Sequence, residues 1–243
     1  MGSRCDRFVA GELDRVLAGD TVSVMRLYPQ ELPEASDDVD TIAVIDFETT
    51  GLSPAYGDRA TEIAAVLVRD GQIVDRYQSL MNAGLRVPSF IEQLTGITTA
   101  MVRQAPPAEQ VMAEVADFVG TVPLVAHNAA FDSKFWDAEL KRIGRRRGQR
   151  FVCSMLVARR VLPQAPSYKL GALVAMAGLP AAERAHRALA DAEMATHLTL
   201  YLERELMRRF GASSVTHELL GRIQKTPKGA LQGCVERYGA VCA

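Results

Sequence analysis

The spacing of apolar and polar residues changes several times along the chain, and each change marks an element. From Asp6 to Leu17 the apolar residues Phe8, Val9, Leu13, Val16 and Leu17 fall near helical spacing. Pro29, Pro33 and the acidic stretch from Glu34 to Asp40 then read as a linker, which makes that helix an appendage to the core. Thr41 to Phe47 is a β-branched apolar run, and Glu62 to Val68 and Gln72 to Met81 are two more strands joined at Asp70-Gly71. Together they predict three neighbouring antiparallel strands.

The period then becomes helical over Ser89 to Leu94 and Ala108 to Val119. A short buried strand, Pro123 to Ala126, follows, and then a long amphipathic helix from Ala129 to Ile143. Phe151 to Cys153 is a further short strand running into a helix that ends before Pro163. Lys169 to Ala177 and Leu189 to Arg209 are helical patterns separated by the break Gly178-Leu179-Pro180. After Gly211 the pattern predicts a helix over Val215 to Ile223 and a polar, glycine-containing tail. Strands first, then strands alternating with helices, predict an α/β fold with a mixed sheet flanked by helices. The organisation is an N-terminal helical extension and linker over 1–40, a main domain over 41–210 and a C-terminal helix and tail over 211–243.

Composition narrows the function classes. The 243 residues are 48% hydrophobic, enough to bury a full core, and 28 Lys and Arg nearly balance 29 Asp and Glu. An anionic partner must therefore be held by a local patch or through a metal, not by the overall field. Cys5, Cys153, Cys234 and Cys242 are scattered without a C-x-x-C pair or a His at zinc-finger spacing, which predicts reduced thiols and no structural zinc. No apolar run approaches a membrane span and the N-terminus lacks a secretory stretch, so no membrane partner and a cytoplasmic location are expected.

Chemistry concentrates in three places. Asp46 and Glu48 stand two apart at the end of an apolar strand, so they project from one face while Phe47 turns to the other. Two carboxylates held together raise each other's pKa unless a cation lies between them, although a single D-x-E also suits a solvated strand end. Asp132, in His127-Asn128-Ala129-Ala130-Phe131-Asp132, falls where a buried strand enters a helix, where the helix dipole alone favours an acid. His186 and Asp191, in His186-Arg187-Ala188-Leu189-Ala190-Asp191-Ala192, place an imidazole on a loop and a carboxylate early in the next helix, within reach of one cleft. His197 and His217 read as surface or core residues.

At these residues the sequence resembles the DnaQ-like exonucleases of the DEDDh type, a group that includes the proofreading exonucleases of bacterial DNA polymerase III. The five signature positions occur in order as Asp46, Glu48, Asp132, His186 and Asp191, and the Leu94-Thr95-Gly96-Ile97-Thr98 stretch is also similar. The resemblance covers roughly Thr41 to Phe210. It departs at Cys153-Ser154, where many relatives carry an acid before Thr or Ser. It implies an RNase H-like fold with a five-stranded mixed sheet and 3′ to 5′ removal of nucleotides from DNA or RNA. Asp46, Glu48, Asp132 and Asp191 are the implied ligands of two divalent ions, Mg²⁺ or Mn²⁺ by the preference of hard oxygen donors, and His186 is the implied general base. Thr49, Gly51, Leu52, Thr95, His127, Asn128 and Phe131 are the residues the resemblance sets around the terminal nucleotide; Phe131 suits core packing equally well.

Lys141, Arg142, Arg145, Arg146, Arg147 and Arg150 form a basic run, which reads either as a grip on substrate phosphates or as a solvated loop. Two other functions remain open at this point. One is an RNA-trimming exonuclease built on the same site. The other is a docking subunit for a polymerase, to which the terminal extensions point. A dinucleotide-binding domain is excluded, since no G-x-G-x-x-G follows the first strand.

Overall fold

The computed structural model describes residues 41–182 and 186–242; the expected N-terminal helix and linker over 1–40 lie outside them. Five strands, β1 (Thr41–Thr49), β2 (Ala60–Arg69), β3 (Gln72–Leu80), β4 (Leu124–Ala126) and β5 (Phe151–Cys153), form one sheet in the order β3-β2-β1-β4-β5. The β1-β2 and β2-β3 pairs are antiparallel and the β1-β4 and β4-β5 pairs are parallel. This is the mixed five-stranded sheet that the family resemblance implies, and the order of strands and helices along the chain agrees with it.

The side-chain period of two divides the strands into two packed faces. Ile42 and Val44 of β1 join Ala64, Val66 and Val68 of β2 under α7 (Ala188–Phe210). Ala43, Ile45 and Phe47 join Ile63, Ala65 and Leu67 under α3 (Ala108–Val119) and α4 (Ala129–Arg142). Trp136 and Phe135 of α4 are almost fully buried there, with Phe47 stacked near both at ring separations of 6.4 Å. Ala188, Ala192 and Ala195 face the sheet from α7, and their small side chains let that helix settle close to β1 and β2.

Helices α1 (Ser89–Thr95) and α2 (Thr99–Gln104) close a satellite cluster around Ile97, while α5 (Ser154–Val161) and α6 (Leu170–Met176) complete the α7 face. Helix α8 (His217–Ile223) caps the β5 edge: the Gln224 side chain accepts from the Cys153 N–H at 2.8 Å and donates to the Phe151 carbonyl at 3.3 Å. The stretch expected to be a polar tail instead contains α9 (Leu231–Cys242). Leu231, Cys234, Val235 and Tyr238 recur at helical spacing and are buried against the α7 face, a period masked by the glycines at 229, 233 and 239. Helix α2 and a 3₁₀ turn at Pro54–Tyr56 are also absent from the sequence reading; both are too short to show a period.

Candidate active site

Strand β1 delivers the first two acids. Asp46 and Glu48 continue the face of Ile42 and Val44, so both project toward the N-terminus of α7. Asp132 comes from the opposite layer, in the first turn of α4, and is 2% exposed. Beyond Val44 strand β1 is no longer paired with β4, and the Asp132 carboxylate accepts hydrogen bonds there from the Phe47 N–H and from its own. Asp191 occupies the first turn of α7, and a carboxylate oxygen of it, one of Glu48 and a ring nitrogen of His186 all lie within 4.8 Å of one another.

The acids share one electrostatic problem. Burial and the charges of Asp132, Glu48, Asp191 and Glu62 push the Asp46 carboxyl well above its ordinary range. Glu48 rises to about 8, through burial and then the fields of Asp191 and Glu62, with Arg187 opposing. Burial raises Asp132 to about 7, against the pull of its backbone donors, and raises Asp191 too, with His186 opposing. Asp191 Oδ1 is buried without a hydrogen-bond partner among the described residues. Carboxylates gathered this way, with one buried oxygen left unsatisfied, suit a divalent cation held by oxygen ligands. Glu48, His186 and Asp191 are thus a possible metal-binding group, with Asp46 and Asp132 close enough to share its field.

Two residues that the sequence reading did not single out hold this arrangement. Glu62 is directly opposite Glu48 in the β1-β2 register and is 1% exposed. It accepts from Arg187 Nη2 at 2.7 Å and Nε at 3.1 Å, and from the Ala188 N–H at 3.0 Å, which fixes the entry to α7. His186, immediately before, adopts a left-handed φ of 62° and donates its N–H to Asp191 at 3.3 Å. Such a backbone costs about 1–3 kcal/mol outside glycine and persists where neighbours hold it, here the Glu62 tether. A lone acid in the apolar run from Ala60 to Val68 is the signal in the sequence, because a buried charge needs a partner.

The expected substrate residues divide into two groups. Thr49 and Gly51 belong to a turn braced from below: the Thr49 hydroxyl donates to the Gly51 carbonyl at 2.6 Å, and a β-carbon at Gly51 would collide with the Asp58 carboxylate. Leu52, on the same turn, is 80% exposed. Arg59 closes the loop, its N–H on the Thr50 hydroxyl and its guanidinium paired with buried Glu139 through two bonds of 2.7 and 2.8 Å. Asn128, at a φ of 70°, turns the chain from β4 into α4. The others are engaged within the protein. Thr95 bonds the Ile91 carbonyl and the Ile97 N–H, and both His127 nitrogens are bonded, to the Ser154 hydroxyl at 3.0 Å and the Tyr168 carbonyl at 2.9 Å. Phe131 packs against Phe135 at 5.0 Å in the α4 layer.

The basic run lies at the other end of α4, about 15 Å of helix beyond Asp132. Arg142 is near Glu139, Arg145 pairs with Asp117 and Arg147 with Asp137, which leaves Lys141, Arg146 and Arg150 exposed. His217 is buried and bonds the Leu124 carbonyl at 2.9 Å. No helix among the described residues is long and apolar enough to cross a membrane.

Known proteins share this architecture. The exonuclease family of RNase T type matches residues 43–199. The chain is 41% identical over 155 residues to the 3′-5′ exonuclease DinG of Bacillus subtilis, and 36% identical over 171 residues to a PolC-type DNA polymerase III of Oceanobacillus iheyensis. These matches cover 62% and 70% of the chain but only 16% and 12% of those longer proteins. Among solved structures, Exonuclease X in complex with 5′ overhanging duplex DNA is 29% identical with a TM-score of 0.60, covering 75% of this chain and 99% of that one. The nuclease domain of 3′hExo, described as a DEDDh family member bound to rAMP, shares the fold at 21% identity and a TM-score of 0.60, covering 74% of this chain and 98% of that one. The chain therefore belongs to the exonuclease family, in its DnaQ-like DEDDh branch.

Proposed function

We propose that the protein is a divalent-metal-dependent 3′ to 5′ exonuclease that hydrolyses single-stranded DNA from its 3′ end and releases nucleoside 5′-monophosphates. The observation that carries this reading is the gathering of Asp46, Glu48, Asp132 and Asp191, with no ion pair to any of them among the described residues and with His186 beside them. Asp46, Glu48, Asp132 and Asp191 would hold Mg²⁺ or Mn²⁺. Bound there, two such ions would polarise the scissile phosphate and neutralise the departing oxygen. His186, on its strained loop, takes a proton from the attacking water. The new bond joins water oxygen to phosphorus, the bond to the 3′ oxygen breaks, and the shortened strand leaves with a free 3′ hydroxyl. The braced turn of Thr49, Gly51 and Leu52 supports the terminal nucleotide, with the exposed Leu52 side chain as its apolar contact.

DNA is favoured over RNA by the identity to a segment of PolC-type DNA polymerase III, which also points to 3′ termini left by a polymerase in proofreading or repair. His127 and Thr95 act by holding the site's walls, since their polar atoms are already engaged. Digestion of 5′-labelled single-stranded DNA with Mg²⁺ or Mn²⁺ tests the reading. It predicts progressive shortening that keeps the label and stops in EDTA; absence of metal-dependent shortening contradicts it. Faster digestion of a matched RNA strand would reassign the substrate to RNA.

A further inference from the structure

A second depression runs along the capped edge of β5, between α4 and α8. This cleft of about 530 Å³ is lined in part by Ser133, the residue after Asp132, and carries Arg147, Arg150, Arg222 and Lys225 against the single acid Glu218. Four cations gathered in one cleft stand out in a chain of net charge −1.

The cations have two different settings. Arg147 is anchored by Asp137 and lies 5.0 Å over the Phe151 ring; Arg222 is anchored by Glu218 and lies 5.1 Å over Tyr238. Arg150 and Lys225 are exposed, and no hydrogen bond or ion pair is found for either side chain among the described residues. An extended peptide cannot add to the strand edge here, because the Gln224 amide already occupies the Phe151 carbonyl and the Cys153 N–H. What the cleft offers is two anchored cations beside two exposed ones, with the strand edge already occupied, which suits a flexible polyanion.

We propose that this cleft binds the sugar-phosphate backbone of the substrate strand upstream of its 3′ end, with Arg150 and Lys225 as the phosphate contacts. The proposal rests on the exonuclease reading, because Ser133 joins the cleft to the helix turn that carries Asp132. Contacts of this kind carry no sequence information and hold any strand whose end lies among the acids.

The test is fluorescence anisotropy of labelled oligothymidylate in EDTA, over a range of salt, for wild type and the Arg150→Ala/Lys225→Ala variant. Each lost contact should lower the slope of log affinity against log salt by about 0.7, so the double variant should lose about 1.4. A dinucleotide, too short to reach the cleft, should bind both proteins alike, and oligouridylate separates DNA from RNA preference. Arg208→Ala, on the exposed far end of α7, is the control for general charge loss. An unchanged slope in the folded double variant, or an equal change in Arg208→Ala, overturns the proposal. Hydrolysis of a thymidine 5′-monophosphate nitrophenyl ester by the wild type reports on the catalytic reading separately, since that substrate ends before the cleft.

Discussion

Buried acids occur in this molecule in two opposite settings. Glu139 and Glu62 are each 1% exposed and each meets an arginine through paired short bonds, Arg59 in one case and Arg187 in the other. Asp46, Glu48, Asp132 and Asp191 lie in the same fold, but among the described residues acids outnumber cations around them, and Arg187 beside Glu48 is already committed to Glu62. The first pair of acids is finished by the protein. The second group has no such partner among the described residues, a contrast that distinguishes a structural carboxylate from one suited to an added cation.

The largest effect should come from the unfinished group. Asp46→Ala should abolish hydrolysis of single-stranded DNA, while the melting temperature in EDTA holds or rises because a repelling charge is gone. Strand digestion paired with thermal denaturation checks both halves; residual metal-dependent turnover, or a collapsed fold, breaks the comparison. His186→Ala should follow with a loss of about 10²–10⁴-fold in kcat, the usual contribution of a positioned proton acceptor, read from single-turnover kinetics.

The finished group should respond in stability. Arg59→Ala strands buried Glu139 and should cost about 3–5 kcal/mol in denaturant unfolding. A cost near that of an exposed pair would mean that the bond is not buried in solution. The smallest effect is on pH. Glu48 and Asp132 have ordinary values of 4.5 and 3.8 and folded values of about 8 and 7. Raised acids favour the protonated fold, so the stability they lend is complete below the ordinary values and is lost as pH climbs through 7 and 8. Melting temperature in EDTA should therefore fall over that window, and saturating Mg²⁺ should remove the fall.

Much of this contrast is visible in the chain itself. Asp46 and Glu48 are legible because a period-two strand puts them on one face, and His186 and Asp191 because a loop meets a helix start there. The three antiparallel strands and the mixed character of the sheet follow from strand runs that are long or sharply bounded. Glu62 and Arg187 were missed because their pairing depends on the register of β1 with β2 and on the docking of α7, contacts 125 residues apart in sequence. Helix α9 was missed because its glycines resemble a tail until the α7 face is there to receive Leu231 and Val235. The paired arginines of the basic run were hidden for a similar reason: Asp117 reaches Arg145 from α3, and Asp137 reaches Arg147 from α4.

The central claim is that the unpaired acids form a cation site, and metal binding tests it without any substrate. Calorimetric titration of Mn²⁺ into the wild type and into Asp46→Asn/Asp132→Asn should show saturable binding in the first and its loss in the second, with both proteins folded. Equal Mn²⁺ binding by the two, or none by the wild type, would contradict the account.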